Sequence, residues 1–373
     1  MPPIAFYISG HGFGHAARQV EIMNAVAVRR PDLRIMIRSE AARWLFERTV
    51  VPPFDLDARP CDTGVTQIDS LRLDEAKTIA DARAFYTGLD DRADAEALLL
   101  GSRDVRLVVS DAPPLACAAA ARAGIPSVVV TNFTWDWIYE AYGEHLGASP
   151  DLIPAIQKAY RLATAVWRLP MHGGFDAFRP QSVVDVPFVA RHGRHAPEET
   201  KRRLGLPSNR RLVLPSFGGY GLEGLNLDAL DLDDAWHVVR VPDAAIYEAG
   251  LRYEDLVRAV DVVVTKPGYG IISECIANDT ALLYTSRGRF AEYDVLVREM
   301  PKYLRCAHIE MDQLLAGRWR AALDAALRAP EPTQRPRTDG AVIVADMICA
   351  RVERRVRDAG TDSPRRRTTD VSR

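Results

Sequence analysis

Apolar, β-branched runs alternate with alanine-rich helical stretches along this 373-residue chain, and this alternation constrains the fold more than any other feature. In the first half, strands are predicted over residues 4–10, 33–39, 106–111 and 127–132, with helices over 16–30, 40–49, 74–100 and 113–122. Short apolar runs separated by helices are typical of parallel strands joined by crossover helices. The sequence therefore predicts an α/β fold.

A second series of strands and helices begins near residue 197. Its strands are predicted over residues 211–217, 237–241, 261–265, 281–286 and 306–310. A stretch rich in Pro, Gly and Arg, about 180–197, separates the two series. We predict two doubly wound Rossmann-like domains, 1–187 and 188–358, that face a central cleft, with a last helix able to pack back on the first domain. Residues 359–373 are predicted to be a disordered tail.

Composition excludes several classes of protein. The 48 Lys and Arg residues are balanced by 50 Asp and Glu residues, so no basic field exists to hold nucleic acid. No apolar run reaches the roughly 20 residues of a membrane-spanning helix, and the N-terminus lacks signal-peptide features, so we expect no integral membrane segment and a cytoplasmic location. The five cysteines are scattered without a CxxC pair, which indicates neither a disulfide framework nor a zinc site.

A glycine-rich loop with two histidines follows the first strand, in the sequence GHGFGHAAR at 10–18. Its spacing departs from the GxGxxG fingerprint, which argues against NAD binding. Histidine at the carboxyl end of a strand suits a general base, because imidazole titrates near neutrality. We expect His15, with His11 as the second choice, to be this base; the alternative is that these histidines only cap the following helix.

Asp111 ends a later strand of the same predicted sheet and is followed by Ala-Pro-Pro. There it could fix the tautomer of a histidine in the His loop and stabilise its cation. The alternative is an N-cap of the next helix, since Asp before Pro is a common helix start. The two roles are compatible.

The segment VVVTKPGYGIISE at 262–274 predicts a strand, a glycine-rich loop and a helix. Lys266, Gly268 and Gly270 bring a cation and free backbone N–H groups to a helix N-terminus, where a diphosphate could bind. Glu274 falls one turn into the helix, within reach of a ribose beside those phosphates. The pair Gly218-Gly219 gives a second close backbone approach, although glycines here could also be simple turn residues.

An aromatic run at 131–142 contains Trp135, Asp136 and Tyr139. Sugars and lipids pack on aromatic faces beside a carboxylate, so these residues are candidate acceptor contacts; the alternative is that they form core. Two Asp-x-Asp patterns, at 55–57 and 231–233, fit solvated loops better than metal ligands. We therefore predict no metal.

These motifs in this order resemble the glycosyltransferase-like half of plant arabinokinases and its bacterial relatives, of the GT-B glycosyltransferase fold. The matching stretches are GHGFGHAAR at 10–18, the spaced Asp62-x-Gly64-x-x-Gln67-x-Asp69, SDAPPLACAAA at 110–120, TNFTWDWIYEAY at 131–142, VDVPFVAR at 184–191, FGG at 217–219 and KPGYGIISE at 266–274. More distantly, Gly14-His15 resembles the glycine-His loop of peptidoglycan N-acetylglucosaminyltransferases, and the Lys266 loop resembles the donor-phosphate loop of galactolipid synthases.

The resemblance implies roles for single residues. It makes His15 the base and Glu274 the ribose ligand, includes Tyr269 and Ser273 in the donor motif, and adds Asp62 and Gln67 as acceptor contacts. The acidic-Gln pair that many GT-B enzymes use for donor sugar hydroxyls is absent, and Arg289 and Glu292 stand in that region as candidate contacts.

The expected function is a metal-independent, inverting hexosyl- or pentosyltransferase without a cofactor. Its co-substrate would be a nucleotide diphosphate-sugar, with UDP favoured, and its acceptor a small molecule, glycan or lipid. Two alternatives stay open: a nucleotide-sugar epimerase or hydrolase on the same fold, and a non-catalytic nucleotide-sugar-binding module.

Overall fold

A computed structural model describes residues 3–218 and 222–361 and confirms the predicted α/β fold. The strands of the first half are β1 (Pro3–Ile8), β2 (Arg34–Arg38), β3 (Phe54–Asp57), β4 (Leu107–Asp111), β5 (Ser127–Phe133), β6 (Ala165–Gly173) and β7 (Val183–Asp185). Its helices are α1 (Phe13–Arg29), α2 (Arg43–Thr49), α3 (Glu75–Thr87), α4 (Leu89–Ser102), α5 (Pro114–Arg122), α6 (Trp135–Glu140) and α7 (Leu152–Tyr160).

The second half repeats this organisation on a smaller scale. Its strands are β8 (Arg211–Ser216), β9 (Trp236–Val238), β10 (Val262–Thr265), β11 (Ala281–Tyr284) and β12 (Cys306–His308). Its helices are α8 (Pro197–Arg203), α9 (Asp243–Glu248), α10 (Tyr253–Ala259), α11 (Tyr269–Asn278), α12 (Ala291–Glu299), α13 (Met311–Leu315), α14 (Arg320–Arg328) and α15 (Gly340–Thr361).

Strand order decides which loops meet at the cleft. Within the described residues, the seven-stranded sheet has the order β3-β2-β1-β4-β5-β6-β7 and the five-stranded sheet has the order β12-β11-β10-β8-β9, with parallel pairing throughout. The order reverses between β1 and β4 in the first sheet, and between β10 and β8 in the second. Ligands of open parallel sheets bind at such switch points, because the loops on either side leave in opposite directions.

The apolar runs that predicted strands are the cores of these sheets. Every residue of β1, β4 and β5 is buried, as expected for strands covered by helices on both faces. α5 fits against this sheet with alanines, of which Ala116, Ala119 and Ala120 are fully buried. Small side chains there let the helix approach the strands closely.

The last helix leaves the second half and packs on the first. Val344 and Ile348 of α15 are fully buried in the same apolar cluster as Val20 of α1. Arg29 of α1 forms an ion pair with Asp346 of α15 at the edge of this contact. Across the described ranges, no helix combines the length and the apolar character needed to cross a membrane. Of the predicted tail, residues 362–373 lie outside the described part of the chain.

Candidate active site

A cleft of about 760 Å³ lies between the two halves, at the carboxyl ends of both sheets. The loop after β1 forms its first-half wall, and the loops after β8 and β10 form its second-half wall. The predicted site residues that line it are His11, Gly14, His15, Gln67, Gly218, Lys266, Gly268, Tyr269, Gly270, Glu274 and Glu292. Gly219 lies outside the described residues. The His loop and the phosphate loop therefore share one cavity.

His15 lies in the first turn of α1, not before it, because the helix begins at Phe13 instead of the predicted residue 16. Its Nδ1 is 3.0 Å from Oδ1 of Asp111, and the side chain is 7% exposed. The two residues meet because β1 and β4 are neighbours, with Ile8 paired to Asp111. The N-cap position, Gly12, has no side-chain cap, so the interpretation of His15 as a helix cap is wrong.

Asp111 is fully buried among donors. Its Oδ2 accepts hydrogen bonds from Nε of Arg18 at 2.7 Å and Nε2 of Gln19 at 3.2 Å, and its Oδ1 pairs with Nη2 of Arg18. Burial alone would raise the pKa of Asp111, but the Arg18 guanidinium and His15 lower it to about 2. The N-cap alternative is wrong, because Pro113 occupies that position without a side-chain hydrogen bond. Asp111 is thus an ionised carboxylate held beside a histidine.

The surroundings of His15 favour one tautomer. Nδ1 lies 3.0 Å from both Oδ1 of Asp111 and Nη2 of Arg18, so it can donate to the carboxylate or accept from the guanidinium. Nη2 already donates to Asp111 and to Oγ1 of Thr131 at 3.1 Å, whereas the ionised carboxylate gains a further donor from an Nδ1 proton. With the proton on Nδ1, Nε2 keeps its lone pair and can act as a base.

His11 has a different environment. Its Nδ1 accepts from the backbone N–H of Val65 at 3.3 Å, and its ring stacks on Phe290 with centroids 5.8 Å apart. Burial lowers the pKa of His11 well below its usual value, and the positive groups around it act in the same direction. A histidine that holds its proton this weakly is a poor base for catalysis, which leaves His15 as the better candidate.

The phosphate loop delivers a helix N-terminus to the cleft. α11 begins at Tyr269 after Gly268, which provides no side-chain cap, so the first N–H groups of the helix are available to a ligand. A Cβ on Gly270 would lie 3.2 Å from Cα of Gly14 in α1. The first turns of two helices, one from each half, therefore touch at a pair of glycines.

Lys266 connects this loop to the first half. Its Nζ donates to Oε1 of Gln67 at 3.3 Å, and Nε2 of Gln67 lies 3.4 Å from Nε2 of His11. Burial, together with the neighbouring Arg287, lowers the pKa of Lys266 to about 7. Gln67, predicted as an acceptor contact, thus bridges the two walls of the cleft.

Glu274 lines the cleft as predicted but is held by a residue that the sequence analysis did not select. Its Oε1 accepts from Nε of Arg191 at 2.7 Å, and Arg191 also pairs with Glu254 at 3.3 Å. Burial raises the pKa of Glu274 to about 7, although the Arg191 guanidinium opposes this shift. Arg191 lines the cleft too, and its position in the VDVPFVAR stretch was the available signal.

Two predicted donor contacts do not line the cleft. Arg289 is half-exposed and pairs with Glu75 and Glu144 of the first half. Ser273 is buried, and its hydroxyl donates to the Gly270 carbonyl at 2.8 Å within α11. Glu292, in contrast, faces the cleft and accepts from Nδ2 of Asn132 at 2.8 Å.

The predicted acceptor contacts on the aromatic run are core residues. Trp135 and Tyr139 are fully buried and stack with centroids 5.6 Å apart, and Asp136 is 3% exposed. Asp62 is buried as well; its Oδ2 accepts from Nε1 of Trp135 at 2.7 Å, and burial raises its pKa to about 6. None of these four side chains is among the cleft-lining residues of the described chain, so direct contact with an acceptor is not supported.

Other aromatic residues do face the cleft. Phe13 of the His loop and Trp44 of α2 form an edge-to-face pair with centroids 5.6 Å apart, and both are only partly buried. Phe13 stands inside GHGFGH, which was a usable signal. Trp44 lies in a short helix that also contains the buried Phe46, and nothing in the sequence of this helix distinguishes Trp44 from a core residue.

The acidic pairs considered as metal ligands are engaged with arginines and backbone. Asp57 pairs with Arg38, and Asp233 pairs with Arg320, whose backbone N–H donates to Asp231. Within the described residues, one group has metal-ligand spacing: Glu75, Glu144 and His145. It lies outside the cleft, and the Arg289 guanidinium contacts both of its glutamates.

Comparison with known proteins supports both the motifs and the fold. No known family model matches the chain. It is 31% identical over 339 residues to the L-arabinokinase of Arabidopsis thaliana, across 87% of this chain and 32% of the plant protein. The chain therefore spans about a third of the length of the curated relative that it matches, and the predicted resemblance to arabinokinases is confirmed.

Solved structures match almost the whole chain. The glycosyltransferase of kitacinnamycin has a TM-score of 0.57 at 15% identity, over 94% of this chain and 99% of that chain. The calicheamicin glycosyltransferase CalG4 has a TM-score of 0.56 at 15% identity, over 95% and 99%. Arabidopsis thaliana UGT89C1, complexed with UDP, has a TM-score of 0.56 at 12% identity, over 96% and 99%. Together with the two doubly wound sheets that face one cleft, these likenesses show that the chain has the GT-B glycosyltransferase fold.

Proposed function

We propose that the chain is a glycosyltransferase that moves a sugar from a nucleotide diphosphate-sugar to an acceptor hydroxyl. One observation carries this proposal: His15, which is paired with the buried, ionised Asp111, lines the same cleft as the free N-terminus of α11 and Lys266. A base on one wall and an anion-binding helix start on the other are what transfer from a diphosphate requires. UDP is the favoured nucleotide, in keeping with the UDP complex of one structural neighbour.

In the proposed reaction, Nε2 of His15 takes the proton of the acceptor hydroxyl as its oxygen attacks the anomeric carbon. The bond from that carbon to the diphosphate oxygen breaks, and the nucleoside diphosphate leaves with the electron pair. Attack from the opposite face inverts the anomeric centre. Asp111 stabilises the imidazolium, while the helix dipole and Lys266 stabilise the leaving diphosphate without a metal ion. A positioned base contributes a factor of about 10² to 10⁴, so alignment must supply most of the remaining acceleration.

The donor and acceptor are proposed to bind opposite walls. Glu274, held by Arg191, would accept hydrogen bonds from the ribose hydroxyls, and Glu292 would contact the donor sugar. On the acceptor side, Phe13 and Trp44 offer partly exposed aromatic faces that suit a sugar ring, a small aromatic molecule or a lipid. Arabinokinase activity is not part of this proposal.

The test is nucleoside diphosphate release from a panel of nucleotide-sugars, with and without candidate acceptors, in the presence of EDTA. His15→Ala should lower turnover by about 10² or more while donor affinity stays nearly unchanged, because the base acts in the transition state. His11→Ala is the matched control in the same loop and should lower turnover by a smaller factor.

The outcomes separate the alternatives. Release of free sugar in buffer alone would favour a hydrolase, and an isomerised nucleotide-sugar would favour an epimerase. Donor binding without turnover for every acceptor would favour a binding module. Wild-type turnover in both histidine variants would contradict the proposed base, and dependence on an added divalent cation would contradict the metal-free mechanism.

A further inference from the structure

Two cations on the second-half wall of the cleft, Lys266 and Arg287, form no salt bridge with any described residue, although Glu292 lies near enough to act on both of their charges. Among the described residues, neither Lys266 nor Arg287 forms an ion pair within 4.0 Å, whereas Arg289, two positions along the chain, pairs with two glutamates. Nη1 of Arg287 donates to the carbonyl of Pro267 at 3.3 Å, which positions this guanidinium beside the Lys266 turn. Both cations therefore stand at the same turn, directly before α11.

Arg287 also has a buried hydrogen-bond donor that is not satisfied. Its Nε is buried and has no hydrogen-bond partner within the described part of the chain, and its guanidinium lies over the Phe290 ring at 4.1 Å from the centroid. An unsatisfied buried donor on a charged group costs free energy, and a second cation nearby adds repulsion. Burial accordingly lowers the pKa of both side chains. An anion between them would remove both costs.

The N-terminus of α11 also favours an anionic ligand at this turn. Its first N–H groups have no side-chain cap, and the same turn carries Lys266. Two cations and a helix start together offer donors to several oxygens of one anionic ligand, and the donor of the proposed reaction carries two linked phosphates. Two linked phosphates present enough oxygens for all of them.

We propose that Arg287 and Lys266 together bind the diphosphate of the donor, with Arg287 as a second cation that neutralises the leaving group. The identity of the ligand rests on the proposed function, but the anion site itself stands on the geometry of this turn. Arg289, the residue that the sequence selected in this segment, has no part in it because its charge is already neutralised by Glu75 and Glu144.

The experiment is titration calorimetry of the full chain with UDP, uridine and inorganic pyrophosphate. Arg287→Gln should weaken the binding of UDP and of pyrophosphate by about 10- to 100-fold, which is the expected effect of losing a charge-assisted contact. It should leave uridine affinity within about twofold, because uridine has no phosphate. Arg289→Gln is the matched control and should leave all three affinities within about twofold. Arg287→Lys keeps the charge and should recover part of the loss, which guards against a folding defect.

Each outcome has a distinct meaning. UDP binding that is unchanged in Arg287→Gln would overturn this inference and leave the glycosyltransferase proposal standing. Pyrophosphate binding that depends on Arg287, in a protein that binds no uridine nucleotide, would support the anion site and contradict UDP as the donor nucleotide. Equal losses in Arg287→Gln and Arg289→Gln, or equal losses for UDP and uridine, would overturn the assignment to Arg287.

Discussion

At the scale of single residues, the site contains one charged group that is paired with opposite charge, Asp111, and one that is not, Lys266. Asp111 is surrounded by donors from Arg18, Gln19 and His15, and its charge is fully compensated. Among the described residues, the hydrogen-bond partner of the Lys266 ammonium is the neutral amide oxygen of Gln67, and no carboxylate forms an ion pair with it. Compensated charges hold a catalytic group in place, whereas uncompensated ones prepare a surface for a charged substrate.

Asp111→Asn tests the compensated charge. The substitution leaves Arg18 buried without an ionic partner, so we expect the free energy of unfolding to fall by about 3–5 kcal/mol at pH 7. The folded-state pKa of about 2 lies below the unfolded value of about 3.9, so the stability due to this group is present above about pH 4 and is lost as pH falls through about 2. Urea unfolding of both proteins from about pH 7 to about pH 2 checks this.

The difference in the free energy of unfolding between wild type and Asp111→Asn should become smaller as the pH falls toward about 2. His15→Ala is the control, because it leaves the pair of Arg18 and Asp111 in place and should not lose stability in the same way. A pH-independent gap would mean that the Asp111 carboxylate contributes nothing through its charge.

Lys266 is expected to make nucleotide affinity depend on pH. Burial and Arg287 lower the pKa of Lys266 to about 7, against the opposite effect of the nearby carboxylates Asp69 and Glu292, and the pKa of His11 is held well below this range. A bound diphosphate would raise this pKa, so binding above about pH 7 takes up a proton. Above about pH 7, where Glu274 is increasingly ionised, UDP affinity should therefore fall by up to about tenfold per unit as Lys266 loses its proton.

Calorimetry at several pH values, in buffers of different ionisation enthalpy, measures both the affinity and the proton uptake. Lys266→Arg stays charged throughout and should give a flat profile above about pH 7. A profile that is equally steep in Lys266→Arg would assign the titration to another group.

At the scale of elements, the sequence predicted those features of the site that depend on which strands lie side by side in a parallel sheet. His15 and Asp111 could be brought together in advance, because carboxyl ends of parallel strands meet at one edge of a sheet. The choice between Arg287 and Arg289 could not be made, because both follow β11 in one irregular segment and only tertiary contacts decide which side chain turns inward. Trp135 was misassigned for a similar reason, since an aromatic run carries no sign of which face is covered.

The start of α1 shows the same limit. Glycine and histidine are poor helix formers, so the sequence predicted a helix only from residue 16. The structure begins it at Phe13, where the contact between Gly14 and Gly270 and the bond of His15 to Asp111 support the added turn. Tertiary contacts override local propensity at the place where the site is formed.

A pair of glycine substitutions tests the contact between these helices. Gly14 and Gly270 each occupy the second position of a helix, where alanine should gain up to about 1 kcal/mol of stability. A Cβ on Gly14 would have its nearest neighbour at 3.9 Å, an ordinary contact, whereas a Cβ on Gly270 would lie 3.2 Å from the Gly14 backbone. Gly14→Ala should therefore stabilise the protein, and Gly270→Ala should not.

Urea denaturation of the two single variants gives the comparison directly. Equal stabilisation by both would mean that the two helix starts do not touch in solution. A loss confined to Gly270→Ala would show that the halves are closed on each other without a ligand.

At the scale of the whole molecule, the chain ties its two halves together twice. Polar contacts cross the cleft, including Ser70 to the Phe217 carbonyl at 2.5 Å and Asn132 to Glu292 at 2.8 Å. α15 then returns from the second half to cover α1, the helix that carries His15. Helix α1 packs against a segment that follows the second half. The stability of α1, and with it the position of His15, should therefore depend on the whole chain.

Ile348→Ala tests this dependence. The side chain is fully buried in the cluster shared by α15 and α1, so its truncation should lower the free energy of unfolding by about 2–5 kcal/mol. The effect should appear in α1 as well as in α15, as faster amide hydrogen exchange in both helices. Val342→Ala is the matched control, because Val342 is 42% exposed on the same helix and should change stability by less than about 0.5 kcal/mol. Faster exchange limited to α15 in Ile348→Ala would show that α1 holds its place without it, and the first half would then be expected to keep its His15–Asp111 pair on its own.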